Sequence, residues 1–441
     1  MASVLGVGPA TIDRTVLPNG VTLLVYPNPV SPSVAVVGHH AGCALFEDES
    51  TCGLANLTAG ALSRGTATRT FLQFSTELDA VGASLSFDAG VESADLHGRG
   101  LAEDLELLVR LSADALRNPT FPAEEVTRLR DQALASIAQV EDSPRALSGR
   151  RFHEMLYGRA NPYGRPDDGY AASVSNLAAS QLHAFHAITY SPAVLTLAVV
   201  GDVRGEEVRD LVARYLGDWR SPPAGPSRER WRQAIATYDR SLRDGADQPL
   251  REDLTLAGKT QTELVLGWNG VRRHDAAYYA TVVGNFILGQ LGMGGRIGAN
   301  VRDRQGMAYH AASYVETGHA RHPWAVRAGV NPANVPRAVA TIHDELQRFC
   351  TAPPDAEELR LTKQALIGSL PLRLERNDGI ADVLLTIEEY DLGLDYLQRF
   401  PDLINAVSGA DVQAAATAVL SNPGYTLVTA GPALPAPAVM P

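Results

Sequence analysis

The sequence predicts an α+β fold built twice, each copy an antiparallel sheet with helices packed on it. Three observations carry that prediction. First, the chain repeats itself: Pro122, Glu125, Arg128, Leu129, Gln132, Ala133 and Leu134 recur in the same spacing as Pro354, Glu357, Arg360, Leu361, Gln364, Ala365 and Leu366. At nearly the same offset, Leu182, Ala184, Ser191, Thr196, Leu197 and Gly201 recur as Val412, Ala414, Ser421, Thr426, Leu427 and Gly431. Two copies make a duplication, not a solenoid. Second, strand-like segments flank blocks of helical pattern instead of alternating with them, which favours antiparallel pairing with helices on one face. Third, the composition breaks near the midpoint at Ser221-Pro-Pro-Ala-Gly-Pro-Ser227, where no regular element can form.

Within the first copy the elements follow in order. Leu17-Pro-Asn-Gly-Val-Thr-Leu-Leu-Val25 reads as a hairpin, with Asn19-Gly20 supplying the positive φ angles of its turn. Val34 to Val37 continue as a β-branched strand. Leu101, Leu105, Leu108, Leu111 and Leu116 then form one stripe, predicting a helix over 101–117. Residues 124–140 and 178–189 carry similar patterns, and Leu195-Thr-Leu-Ala-Val-Val-Gly201 closes the unit as a buried strand. The expected domains are therefore 1–220 and 236–441, joined by a linker at 221–235 whose charged residues Arg228, Glu229, Arg230 and Arg232 suit an exposed tether.

Composition narrows the partners. The chain has 441 residues, with 38 Lys and Arg against 50 Asp and Glu, a formal net charge of −12. That excess of acid disfavours a nucleic-acid backbone or an anionic membrane, since both need a basic footprint. Lys occurs only at Lys259 and Lys363, so nearly every basic residue is Arg, a bias of composition before it is one of function. At 45% hydrophobic and 20% charged residues, the chain can bury a sizeable core. Cys43, Cys52 and Cys350 cannot make a disulfide framework, and no two of them form a C-x-x-C pair. No apolar run has the length of a membrane helix, and Met1 to Pro9 lacks a basic n-region, so a cytoplasmic location is expected.

A string of short motifs carries a family resemblance: Leu17-Pro-Asn-Gly-Val, Gly53-Leu-Ala, Arg64-Gly-Thr66, Asn118-Pro-Thr-Phe121, Asn161-Pro-Tyr-Gly164 and Leu197-Ala-Val-Val-Gly-Asp202. In the second half come Gly294-Gly-Arg-Ile and Val301-Arg-Asp-Arg-Gln-Gly-Met-Ala-Tyr309. In order and spacing these pieces resemble the M16 (pitrilysin/insulinase, processing-peptidase) zinc metallopeptidases, subfamily M16B. The resemblance implies two α+β domains closing on a peptide like a clamshell.

One segment departs from it. Active M16 members carry H-x-x-E-H on a helix after Gly-Leu-Ala. There, two His at i and i+4 hold Zn²⁺ and the Glu serves as base for the metal's water. Here those positions hold Asn56, Ala59 and Gly60, and the family's more distant Glu ligand aligns with Ser136. Gly and Ala have no ligating atoms, and amide or hydroxyl oxygen is a poor substitute for imidazole or carboxylate on zinc. No metal is therefore expected in this chain.

The second half keeps what the resemblance assigns to it. The family places an Arg and a Tyr seven residues apart near the scissile bond, and Arg302 and Tyr309 match that spacing. A Tyr hydroxyl can donate to a developing oxyanion, and an Arg offers fixed donors for substrate carbonyls. Gly306 between them permits a turn from helix to strand. Gly294 and Gly295 match the family's Gly-rich, peptide-contacting turn. The combination resembles the non-zinc subunit of heterodimeric bacterial M16 peptidases. It implies a zinc-containing partner subunit, a peptide substrate and a shared site. The alternative is an inactive M16-like scaffold or peptide-binding protein.

Other candidates point elsewhere. His39-His40-Ala-Gly-Cys43 invites a metal or a separate catalytic centre, but adjacent strand residues face opposite sides. His183 and His186 share a helical face without a third ligand, and read as polar surface. His319 and His322 fall in a loop beside Pro323. Gly289 to Gly298 is glycine-rich but matches neither G-x-x-x-x-G-K-S/T nor G-x-G-x-x-G.

Overall fold

A computed structural model describes residues 6–221, 225–242 and 248–435. The first sheet takes its strands from β1 (Asp13–Val16), β2 (Thr22–Pro27), β3 (Ser33–His40), β4 (Ser84–Ala89), β5 (Ala94–Leu101) and β6 (Thr196–Gly201), in the order β1-β2-β6-β3-β5-β4. The second uses β7 (Leu250–Thr255), β8 (Thr262–Asn269), β9 (Ala308–Val315), β10 (Pro323–Val330) and β11 (Thr426–Gly431), in the order β7-β11-β8-β10-β9. Without β1 the two orders match strand for strand. The sequence repeat falls on equivalent strands, with Thr196, Leu197 and Gly201 on β6 and Thr426, Leu427 and Gly431 on β11. The duplicated α+β architecture is what the chain forms.

Each sheet also holds one parallel pair, β2 with β6 and β7 with β11, within an otherwise antiparallel ladder. Long helical stretches separate those strands in sequence, which gives the chain room for the crossover that parallel pairing requires. In the Leu17–Val21 connection Gly20 alone takes a positive φ, of 97°, with its N–H donating to the Leu17 carbonyl. Asn19 instead donates its side-chain amide to the Leu216 carbonyl, tying the turn to a helix end.

Strand residues alternate between faces, and the central strands β2, β3 and β6 are buried on both. Leu23, Val25, Val34, Val36, Leu197 and Val199 join a core with helices Leu54–Ala61, Leu105–Arg117, Ala179–Thr189 and Gly205–Leu216. Leu24, Ala35, Val37, Ala198 and Val200 face the other way, onto Ile380, Ala381 and Leu384 of helix Asn377–Glu389. Helices on one face only was therefore the wrong expectation for this sheet. Covering on both sides is why β6 reads as an unbroken apolar run.

The chain packs as two units. One comprises the residues up to Ile137, Pro166–Ile235 and Ser369–Phe400; the other comprises Ala138–Arg165, Ala236–Gly368 and the residues from Pro401 onward. Each unit thus includes a segment from the opposite half of the sequence. Helix Pro144–Tyr157 packs on β8 and β11, and helix Asn377–Glu389 packs on β3 and β6. Of the expected linker, Pro222, Pro223 and Ala224 lie outside the described residues. The charged stretch after them is not a tether but the start of helix Arg228–Arg240. No single helix among the described residues is long and apolar enough to cross a membrane.

Candidate functional site

Helix Leu54–Ala61 begins at Gly53, whose φ of 94° turns the chain into it. Its first N–H groups are capped from a distance: the Glu47 carboxylate accepts from Gly53 N at 3.1 Å and from Ala55 N at 2.9 Å. Leu54, Ala55, Leu57, Thr58, Ala59 and Ala61 are buried, which leaves Asn56 and Gly60 on the half-open side one turn apart. These are the positions where a zinc-binding helix would carry its two imidazoles.

The donors present do not fit a zinc ion. The Asn56 amide nitrogen donates to the Ala89 carbonyl at 3.2 Å. Ala59 is 1% exposed in the apolar core, and Gly60 has no side chain. A Cβ added at Gly60 would meet nothing within 4 Å, so the place of a side chain stands open. Ser136 is an exposed residue of helix Ala123–Asp142 and brings only a hydroxyl. Among the described residues, no three His, Cys, Asp or Glu are grouped to hold a metal.

In the other unit, the segment from Gly294 to Val315 is built from unusual backbone. Gly294 and Gly295 take φ of 114° and 59°, and a Cβ on Gly295 would lie 2.4 Å from the Ile287 carbonyl oxygen. Helix Gly295–Gly298 runs into a π-helical turn, Ala299–Arg304, that carries Arg302. The turn is pinned from below: the buried Asn300 amide donates to Glu345 at 2.9 Å, and Gln305 donates to Asn300 and Thr341. Arg302 is half-buried and its Nε contacts the carboxylate of its neighbour Asp303 at 2.7 Å, which raises its pKa further. Gly306, at φ 61°, then reverses the chain into β9.

Tyr309 sits where the pairing of β9 with β10 slips. Gly329 pairs with His310 and Val330 with Ala308, so Tyr309 is the extra residue of a β-bulge. It is 84% exposed, and β9 is the edge strand of its sheet. The ring therefore projects into solvent instead of packing in the sheet as a core tyrosine would. The spacing of Arg302 and Tyr309 was visible in sequence; the bulge that aims the phenol was not, because no glycine marks it within the strand.

The remaining histidines divide as the strand and helix periods require, with one exception. His39 and His40 do face opposite sides of β3. His39 lies against Glu389, with Nδ1 3.2 Å from Oε2, and against Asp95. Burial opposes its charge, but the two carboxylates outweigh that and raise its pKa. His40 is buried on the other side, stacked on Tyr190; its Nδ1 accepts from the Gly42 N–H, which leaves Nε2–H to donate to the Ser191 carbonyl at 3.0 Å. Cys43 is buried, and burial pushes its thiol pKa far up, so it is neither a nucleophile nor a ready thiolate ligand. His183 is exposed as expected, but His186 is half-buried, stacked on Tyr190 and bonded to the Leu116 carbonyl. His322 lies in the loop before Pro323, and it and His153 flank Glu316.

Comparison with known proteins follows these elements. The family described as "Insulinase (Peptidase family M16)" matches residues 27–166, and "Peptidase M16 inactive domain" matches residues 176–366. An uncharacterized zinc protease of Mycobacterium leprae is 29% identical over 84% of this chain and 80% of its own length. Among solved structures, a peptidase M16 inactive domain from Pseudomonas fluorescens aligns with a TM-score of 0.85 at 24% identity, covering 96% of this chain and 98% of that one. A protease from Helicobacter pylori aligns with the same TM-score at 16% identity, covering 97% and 100%. At such identities these two structures speak for the fold alone. With two M16 domain types matched in succession along residues 27–366 and the duplicated fold in place, the chain belongs to the M16 peptidase family.

Proposed function

We propose that this chain is the non-zinc subunit of a two-chain M16 peptidase. It binds peptide and presents Arg302 and Tyr309 to the scissile carbonyl at a zinc site held by a partner with an intact H-x-x-E-H. The observation that carries the reading is the bulge at Tyr309, which frees a phenol from its sheet on the segment where the family keeps its Arg and Tyr. A pinned π-turn and a bulge are backbone irregularities of the kind that gather at functional sites.

In this reading the Tyr309 hydroxyl donates to the oxyanion as the tetrahedral centre forms, where a single donor matters most. Arg302 exchanges Asp303 for substrate carbonyls, and the Gly294-Gly295 turn lets a peptide backbone pass close by. Metal chemistry belongs to the partner, because Asn56, Ala59, Gly60 and Ser136 offer no ligand set.

The test is a comparison of states. The purified chain alone is expected to hold no stoichiometric zinc by elemental analysis and to cleave no unfolded peptide. Mixed with an M16 chain that carries H-x-x-E-H, it should form a stable complex and raise that chain's zinc-dependent turnover. Zinc-dependent cleavage by the isolated chain would overturn the reading. The second reading, an inactive peptide-binding scaffold, is favoured by the contact of Arg302 with Asp303, which engages the guanidinium within its own turn. It predicts complex formation with no change in turnover when either residue is replaced.

A further inference from the structure

The bulge that frees Tyr309 has two neighbouring residues as candidates for its extra place, and the strands beside it decide between them. β9 is fixed on both sides of the irregularity. Upstream, Met307 is buried and its N–H donates to the Val301 carbonyl at 3.0 Å. Downstream, Ser313 is buried, its Oγ donates to Asn285 Oδ1 at 2.8 Å, and a side chain at Gly289 would run into its backbone. Between those anchors β9 carries one residue more than β10 opposes. Moving that extra place by one position would project His310 and turn Tyr309 onto the sheet.

Three residues in one row hold the observed choice. Glu263 on β8, Gly329 on β10 and His310 on β9 pair side by side. The carboxylate and the imidazole meet over the glycine: a Cβ on Gly329 would lie 2.6 Å from His310 Cε1 and 2.7 Å from Glu263 Oε1. His310 Nε2 stands 3.3 Å from Glu263 Oε2. Both atoms are shut off from solvent, and neither has a hydrogen-bond partner among the described residues. Arg327, two residues along β10 on the same face, places its guanidinium 5.7 Å from the centre of the Tyr314 ring instead.

Glu263 is 9% exposed, and a buried carboxylate left without a donor or a cation is costly. His310 supplies that counterpart only in the register where it, and not Tyr309, stands opposite Gly329. The glycine supplies the room, because any side chain there would push the pair apart. Tyr309 is the rival for the same place: a phenol over Gly329 would bring its own hydroxyl toward Glu263, and the exposed residue would then be a histidine.

We propose that the Glu263–His310 contact over Gly329 is a positioning device that selects the register of the bulge and so keeps Tyr309 projecting. Glu263 and His310 act through Tyr309 and are not themselves catalytic. The effect on turnover rests on the peptidase reading; the effect on the bulge does not.

The test has two readouts. On the full chain alone, nitration of Tyr309 by tetranitromethane is followed by peptide mass. His310→Ala is expected to slow it about tenfold, because Glu263 then draws the phenol inward as the remaining donor. Glu263→Ala should slow it about twofold, because neither register is then preferred. Glu263→Gln should keep the wild-type rate, since its amide carbonyl still accepts from an imidazole N–H. Unfolding would speed nitration, so the direction separates a slipped bulge from a lost fold. In complex with an H-x-x-E-H partner, His310→Ala should lower kcat in the proportion by which it slows nitration, with KM little changed, and should lower it no further in a Tyr309→Phe chain. Nitration at the wild-type rate or faster in both His310→Ala and Glu263→Ala overturns the proposal. So does an equal fall in kcat in the Tyr309→Phe chain, because His310 then acts by another route. Slower nitration with unchanged turnover supports the register role and overturns the peptidase reading of Tyr309.

Discussion

The two units share a strand order but differ at the place where chemistry is read. In the first, the helix that would hold a metal is regular, well capped and chemically blank: Asn56 bonds to the backbone, Ala59 is core and Gly60 is open space. In the second, the segment with Arg302 and Tyr309 is irregular throughout, with two left-handed glycines, a π-turn and a bulge in one run. A duplicated scaffold tolerates the loss of side chains at a site at little cost, because the helix is held by packing and by Glu47. Irregular backbone is different. It costs stability wherever it occurs, so its presence at Tyr309 argues that something is gained from it.

The sharpest way to break this contrast is at Tyr309. In a complex with a zinc-bearing partner, Tyr309→Phe is expected to lower turnover by ~10²-fold with little effect on KM, the scale of one oxyanion donor. Because the ring is exposed, the thermal midpoint of the chain should not move; an unchanged turnover would leave the scaffold reading standing.

The units should also part company in acid. Burial holds His40 neutral down to about 3 and His186 down to about 4, and both lie in the first unit. The unfolded chain takes up those protons at the ordinary value near 6.5, so stability falls as pH drops from about 6.5 towards 4. By pH 5.5 each should cost ~1.4 kcal/mol. In the second unit, His343 is lowered by burial in the same direction. Glu316 works at lower pH: burial opposes its charge, yet hydrogen bonds from His153 and His322 bring it to about 2. Its contribution is present above about 4.5 and lost below. Hydrogen exchange resolved by peptide should therefore show the first unit losing more protection between pH 6.5 and 4.5. Equal loss in both would contradict these assignments.

Two glycine substitutions test the backbone side of the comparison. Gly295→Ala forces a Cβ against the Ile287 carbonyl at a positive φ and should destabilise the second unit by about 1–3 kcal/mol in urea unfolding. Gly60→Ala fills open space on a helix and should stabilise the first unit by about 0.5–1 kcal/mol. If Gly60→Ala destabilises, the blank face is occupied by something not yet seen.

Much of this was legible in the sequence because it rests on local rules. The hairpin near Gly20, the strands at Val34 to Val37 and Thr196 to Gly201, and the helices around Leu108, Leu129 and Phe185 all follow from periodicity and turn chemistry. The opposed faces of His39 and His40 follow from the strand period alone. What escaped was long-range. An amphipathic helix shows which face it buries but not against which sheet, so the exchange of Pro144–Tyr157 and Asn377–Glu389 left no local mark. The parallel pairs, the stacking of His186 on Tyr190 and the bulge at Tyr309 were hidden for the same reason. Arg228 was read as part of an exposed tether because its neighbours are charged, whereas its position opens a helix against β2 and β6.

The helix that covers the far face of the first sheet arrives late. Leu24, Ala35, Val37, Ala198 and Val200 are made well before Ile380, Ala381 and Leu384, which shield them. That face of the sheet is therefore completed by residues about 180 positions further along the chain, a closure of high sequence separation.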